Sequence, residues 1–221
     1  GPAPRGSRRR GNMIGVVDYD TGNIGSVLNM LKKVGAQAIA SRDPSELRKA
    51  NKLVLPGVGA FDEAMRNLRS FGLYDVLNEL VLEQRRPILG VCLGAQLMTK
   101  GSEEGDQPGF GWLNAHLVRF RAPEGMPSLR VPHMGWNVVN AEAEGGGIFC
   151  DVTQPMRFYF VHSYHMVTEE PGLELSSSHY GYRFTSAMAR HNILSMQFHP
   201  EKSHKYGLQV YRNFVENFQS C

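Results

Sequence analysis

Apolar positions in the first hundred residues recur in short blocks, each followed by a stretch with helical spacing. Residues 13–19 form an apolar strand, and Val27, Leu28, Leu31 and Val34 repeat at the 3.6 period over 24–34, predicting a helix. Residues 38–40 read as a weak strand. Asp43 before Pro44, with Glu46 three residues on, marks a helix start. Residues 52–55 form another strand, 61–68 and 73–84 have helical patterning, and the apolar run from 87 leads through Cys92 into a helix expected over 95–100. Alternating strand and helix implies a parallel sheet covered on both faces. After Trp112 the pattern changes to strands at 115–120, 130–140, 157–164, 173–179, 185–190 and 193–198, separated by glycine- and proline-containing breaks such as Glu144-Gly-Gly-Gly147. A last helix over 205–218 places Val210, Tyr211, Phe214, Val215 and Phe218 on one face. The expected fold is α/β: an open, mixed, mainly parallel sheet with helices on both faces, extended by antiparallel strands in the C-terminal half.

Charge adds little to this picture. The 221 residues carry a formal charge of +3, but Arg5, Arg8, Arg9 and Arg10 supply four positive charges before the first apolar block. The remainder is nearly neutral, so the basic balance gives no ground for a nucleic-acid partner. Residues 1–12 read as a disordered basic tail or processing scar, with Met13 a plausible original start and 13–221 one domain. No signal peptide or run of about 18 apolar residues is present, and a cytoplasmic location is expected. Three cysteines, Cys92, Cys150 and Cys221, make no disulfide framework.

The chemistry concentrates at Gly90-Val-Cys92-Leu-Gly94. A thiol at the apex of a strand-turn-helix bend needs small flanking residues and sits at a helix N-terminus, where the thiolate is favoured. A buried core cysteine would satisfy this stretch equally well. The other end of the chain separates the two: in His199-Pro-Glu201, extended backbone before proline points both side chains the same way. Cys92, His199 and Glu201 thus supply a nucleophile, a base and a carboxylate to orient that base. By itself His-Pro-Glu is also compatible with a solvated loop. Pro56-Gly-Val-Gly59 ends a strand at the edge where open α/β sheets bind ligands, and its amides, with that of Leu93, are candidate oxyanion donors. Asp62 stands where a dinucleotide loop needs glycine. Gln96, one helical turn from Cys92, either holds the polar head of a substrate or caps the cavity. The histidines lack metal-site spacing, so no metal is expected. Trp136 is either core or an interface anchor.

Taken in chain order, PGVG, GVCLGAQ, PHMGWN, YFVHSYH and QFHPEKS resemble the class I, triad-type glutamine amidotransferases, and within them the glutaminase subunits of imidazole glycerol phosphate synthase. The resemblance runs over about residues 14–218; Asp20 and Gly25 depart from residues common in that family. It implies that Cys92, His199 and Glu201 hydrolyse glutamine to glutamate through a Cys92 thioester. It further implies that Gly57, Val58, Gly59, Leu93, Gln96, His162, Ser163 and Tyr164 form the oxyanion and glutamine sites. Trp136 and Asn137 would face a (β/α)8-barrel cyclase subunit, which receives the ammonia to make imidazole glycerol phosphate and the aminoimidazole carboxamide ribonucleotide in histidine biosynthesis. No cofactor is implied. Three other readings stay open on the residues alone: the glutaminase part of another amidotransferase, a free-standing γ-glutamyl cysteine hydrolase, and a non-catalytic interaction subunit.

Overall fold

A computed structural model describes residues 13–218, so the expectations for residues 1–12 lie outside the described residues. The strands are β1 (Met13–Val17), β2 (Gln37–Ser41), β3 (Lys52–Leu55), β4 (Ile88–Val91), β5 (His116–Arg119), β6 (His133–Val138), β7 (Asn140–Ala141), β8 (Arg157–His162), β9 (Tyr164–Val167), β10 (Glu174–Tyr180), β11 (Tyr182–Arg190) and β12 (Ile193–Met196). The α-helices are α1 (Ile24–Lys33), α2 (Pro44–Leu47), α3 (Phe61–Ser70), α4 (Leu73–Asn78), α5 (Leu93–Leu97) and α6 (His204–Glu216). The main sheet runs β2-β1-β3-β4-β12-β11-β10-β7 and is parallel from β2 to β12. From β12 onward it is antiparallel, and β9 joins β11 and carries β5.

Alternation along the strands sorts the core into two layers. Ile14, Val16, Val54, Leu89 and Val91 pack on one face with α1 and α6, while Val17, Leu53, Leu55 and Ile88 pack on the other with α3 and α4. All five apolar residues anticipated on the last helical face are buried. Near their carboxyl ends, the central strands β3, β4 and β12 deliver Pro56–Gly59, Cys92 and His199, so a contiguous parallel core brings together segments far apart in sequence.

Several sequence expectations change. The 73–84 helix is α4 followed by a π-turn at Glu79–Glu83. The helix after Cys92 begins at Leu93 rather than residue 95 and has five residues. Strand 157–164 breaks at Ser163 into β8 and β9 because the two strands pair in different sheets. The C-terminal strands do not all extend the main sheet: β6 and β8 form a separate antiparallel ribbon, and β12 enters the sheet in parallel beside β4. At α2 Asp43 caps the helix through the Ser45 amide at 2.8 Å, but Glu46 bonds the Ser41 hydroxyl instead of closing a capping box.

One charged residue lies deep in the packing. Lys52, 6 % exposed at the start of β3, donates from Nζ to the carbonyls of Phe214, Val215 and Phe218 at 2.7, 3.1 and 2.6 Å. The ammonium meets the negative end of α6 and ties that helix to the sheet. Burial nonetheless lowers its pKa to about 8.

Candidate active site

Cys92 occupies a sharp bend with φ 52° and ψ −109°, a backbone region that non-glycine residues rarely adopt. Its neighbours force the geometry. The Cys92 amide continues the β4–β12 ladder by donating to Met196 O at 2.8 Å, and its carbonyl accepts from the Gln96 amide at 3.1 Å, opening α5. The chain must therefore turn from strand to helix within one residue. Both flanking glycines are needed for space: a Cβ on Gly94 would run into the Leu55 backbone carbonyl, and one on Gly90 into Met98 and Ala95. The sulfur lies 3.8 Å from the Val161 carbonyl and 3.9 Å from Nε2 of Gln197.

His199 comes off β12 in extended conformation, its amide bonded to Tyr159 O at 2.9 Å and its carbonyl to the Ser203 hydroxyl at 2.6 Å. Its Nδ1 is 2.5 Å from Glu201 Oε1, and both side chains are fully buried. Burial disfavours a charged imidazole, but the Cys92 sulfur and the Glu201 carboxylate outweigh it and raise the His199 pKa to about 10. Nε2 of the ring is buried without a hydrogen-bond partner among the described residues. Asn23, which sequence reasoning missed, donates from Nδ2 to the same Glu201 oxygen at 2.5 Å. The sequence signal for it was no more than the Gly22-Asn23 turn before α1, in which Asn23 adopts a left-handed φ of 66°.

A cavity of about 310 Å³ opens beside the thiol, lined by Val58, Gly59, Cys92, Leu93, Gln96, Glu104, Val161, His162, Ser163 and Tyr164 among others. Seven of the eight residues expected to bind substrate or oxyanion therefore line one cavity. Gly57 stands outside this lining, and its carbonyl accepts the Leu93 amide at 3.3 Å. The Val58 amide is likewise occupied, by the Thr21 carbonyl at 3.3 Å. Two expected oxyanion donors are thus spent on the protein's own carbonyls in this conformation. Gly57 and Gly59, with φ of 151° and 117°, use backbone freedom that side chains would restrict.

The polar lining is directional. Gln96 donates from Nε2 to Gln197 Oε1 at 2.9 Å and to Tyr164 O at 3.3 Å, which leaves its Oε1 as an acceptor for a ligand. Glu104, also missed in the sequence, adds a carboxylate. Its pKa is raised by burial, lowered by the Phe61 backbone and raised by Asp62. An amide acceptor and a carboxylate lining one cavity suit an ammonium group. Both ring nitrogens of His162 are bonded within the protein, so its ring presents no free nitrogen to a substrate.

On β6 the side chains alternate. Met134 and Trp136 are 59 % and 46 % exposed, whereas Asn137 lies on the opposite face and bonds His133 and the His179 carbonyl. Trp136 thus has the exposure expected of an interface anchor, and Asn137 is turned inward. Among the described residues no cluster of metal-ligating side chains occurs, and no helix is long and apolar enough to cross a membrane.

The comparisons with known proteins agree with this geometry. The family profile of class-I glutamine amidotransferases matches residues 15–218. The chain is 53 % identical over 204 residues to the imidazole glycerol phosphate synthase subunit HisH 2 of Pseudomonas aeruginosa, covering 92 % of this chain and 99 % of that protein. It is 44 % identical to the corresponding subunit HisH 2 of Methanococcus maripaludis, with the same coverage of both. A crystal structure of a glutamine amidotransferase from Thermotoga maritima shares the fold at a TM-score of 0.61 and 17 % identity, covering 92 % of this chain and 84 % of that one. The strand-to-helix bend, the buried imidazole-carboxylate pair and these similarities identify the chain as a member of the class-I glutamine amidotransferase family.

Proposed function

We propose that this chain is the glutaminase subunit of an imidazole glycerol phosphate synthase, acting in the cytoplasm with a (β/α)8-barrel cyclase subunit. Cys92 attacks the side-chain amide of glutamine while its proton is held by His199, and His199 delivers that proton to the nitrogen that leaves as ammonia. Glu201, held by Asn23, orients the imidazole and stabilises its protonated form. The thioester carbonyl carbon is then attacked by water, with His199 removing the water proton, and glutamate leaves as the thiol is restored. Gln96 and Glu104 hold the substrate ammonium, and the ammonia passes to the cyclase, which uses it to form imidazole glycerol phosphate.

The observation that carries this reading is the arrangement of Cys92 at its bend beside the buried His199–Glu201 pair, at the edge of a cavity sized for an amino acid. The 53 % identity over nearly the full length of a synthase subunit supports the choice of pathway. Oxyanion donors that are occupied in this conformation support slow turnover until the 56–59 segment rearranges. The test measures glutamate release by the chain alone and with a cyclase barrel and its nucleotide. Strong stimulation is expected; unstimulated activity would remove the pathway assignment while leaving the chemistry. Cys92→Ala is expected to abolish glutamate release and to retain synthesis from free ammonia in the complex.

A further inference from the structure

The inner face of the β6–β8 ribbon carries a hydrogen-bond chain whose direction is set at one end by a group that only accepts. Nδ1 of His162 is 2.8 Å from the Tyr164 carbonyl, so it carries the proton and Nε2 of the same ring is an acceptor. His133 Nδ1, 2.8 Å from that Nε2, must therefore be the donor. This leaves His133 Nε2 to accept from Asn137 Nδ2 at 3.2 Å. Asn137 is fixed in turn, since its amide also donates to the His179 carbonyl at 2.8 Å and its Oδ1 accepts the Val138 amide at 2.8 Å. Both rings are buried, burial holds each imidazole in its neutral form, and each neutral ring has a single tautomer that satisfies all of its partners.

The chain ends in the substrate cavity. Tyr164 O, the terminal acceptor, also receives the Gln96 amide, which is bonded to Gln197 beside the Cys92 sulfur. His162, Ser163 and Tyr164 form the bend between β8 and β9 and line the cavity together. Main-sheet ladder bonds hold the β9 arm of this bend, where Tyr164 pairs with Arg119 and the Ser163 carbonyl accepts the Phe120 amide at 3.0 Å, but His162 on the β8 arm pairs only with β6. The side-chain relay holds that second arm: it anchors on β10 through His179, crosses β6 and β8, and ends at the cavity.

Building on the glutamine-hydrolysis reading, we propose that His133, held by Asn137, is a positioning residue for glutamine binding: it donates to His162 and thereby fixes the His162 arm of the bend, and through the shared Tyr164 carbonyl the Gln96 side chain, against the substrate. His133 touches no reacting atom, and its loss acts on KM more than on kcat.

Two substitutions separate positioning from packing. The His133 ring is flanked by Phe160 and Tyr180, with centroids 4.7 and 4.2 Å away. His133→Phe keeps that stacking and removes the donor. His133→Asn places an amide N–H near the Nδ1 position but leaves a void between the rings. With the cyclase partner present, His133→Phe is expected to raise KM for glutamine about tenfold, with a fall in melting temperature smaller than that of His133→Asn, since it leaves the buried Nε2 of His162 unpaired but opens no void. His133→Asn is expected to melt lower and keep KM near the wild-type value. A KM that follows the melting temperature, worse for the asparagine than for the phenylalanine variant, overturns the proposal, as does an unchanged KM in both. Failure of the underlying reading would appear separately, as a folded wild type that releases no glutamate or a Cys92→Ala variant that still does.

Discussion

At the scale of single residues, the site depends on one buried ion pair. The His199 ring gains proton affinity on folding, from an ordinary value of 6.5 to about 10, against the pull of burial. A histidine whose pKa rises on folding adds stability that is fully present below about pH 6.5 and disappears as the pH climbs through about 10. Glu201→Gln removes one source of that rise. The stability difference between wild type and variant, measured by urea unfolding, is therefore expected to be largest near pH 6 and to shrink towards pH 10. The same variant is expected to lose roughly 10²–10⁴-fold in kcat for glutamine hydrolysis, as a general base without its orienting carboxylate does. A difference that grows with pH would show that Glu201 does not act on the imidazole. The three residues of this set were legible in the sequence because each belongs to a short motif with its own backbone logic: a glycine-flanked bend and a proline-restricted extended pair. The roles of Asn23, Glu104 and Gln197 were not legible: Asn23 and Glu104 come from separate turns, and Gln197, two residues before His199 in the same motif, meets Gln96 and the Cys92 sulfur only through tertiary packing.

At the scale of elements, the β4-to-α5 bend is held by close backbone contact rather than by strong local helix propensity. Gly94 packs directly on the Leu55 carbonyl, a contact with no flexible side chain to yield. Gly94→Ala is expected to cost about 1–3 kcal/mol in unfolding free energy, as overpacking does, and to displace Cys92 from β3; a urea titration beside an iodoacetamide-labelling rate for the thiol would report both effects. The periodic helices and the parallel strands were readable from apolar spacing. The separate β6–β8 ribbon was not, since alternation along a strand marks its faces without specifying its partner. The same limit explains Asn137: its position next to Trp136 puts it on the opposite face of the strand, where, half-buried, it bonds His133 and the His179 carbonyl.

At the scale of the whole molecule, the cavity and the exposed Met134 and Trp136 belong to the same end of the fold, joined by a ribbon that also contacts the His199 backbone through Tyr159. Trp136 lies parallel to the His204 ring with centroids 5.6 Å apart, so its indole is supported from behind while nearly half exposed. Trp136→Ala is expected to weaken binding of the cyclase partner by at least about tenfold, a loss typical of an aromatic anchor, with little change in the melting temperature. Equal affinity for wild type and variant in a binding titration would place the interface elsewhere. The bond from the Leu93 amide to the Gly57 carbonyl has a consequence for kinetics. A carbonyl supplied by the chain itself behaves as an inhibitor tethered at its own site, and glutamine cannot displace it by mass action unless it binds the rearranged form better. If the occupied form is favoured by about 1.4 kcal/mol, only about a tenth of the molecules are competent at any moment, and saturating substrate that binds both forms equally leaves that fraction unchanged. Relief must come from a partner with differential affinity for the two forms. It would then appear as a rise in kcat at nearly constant KM.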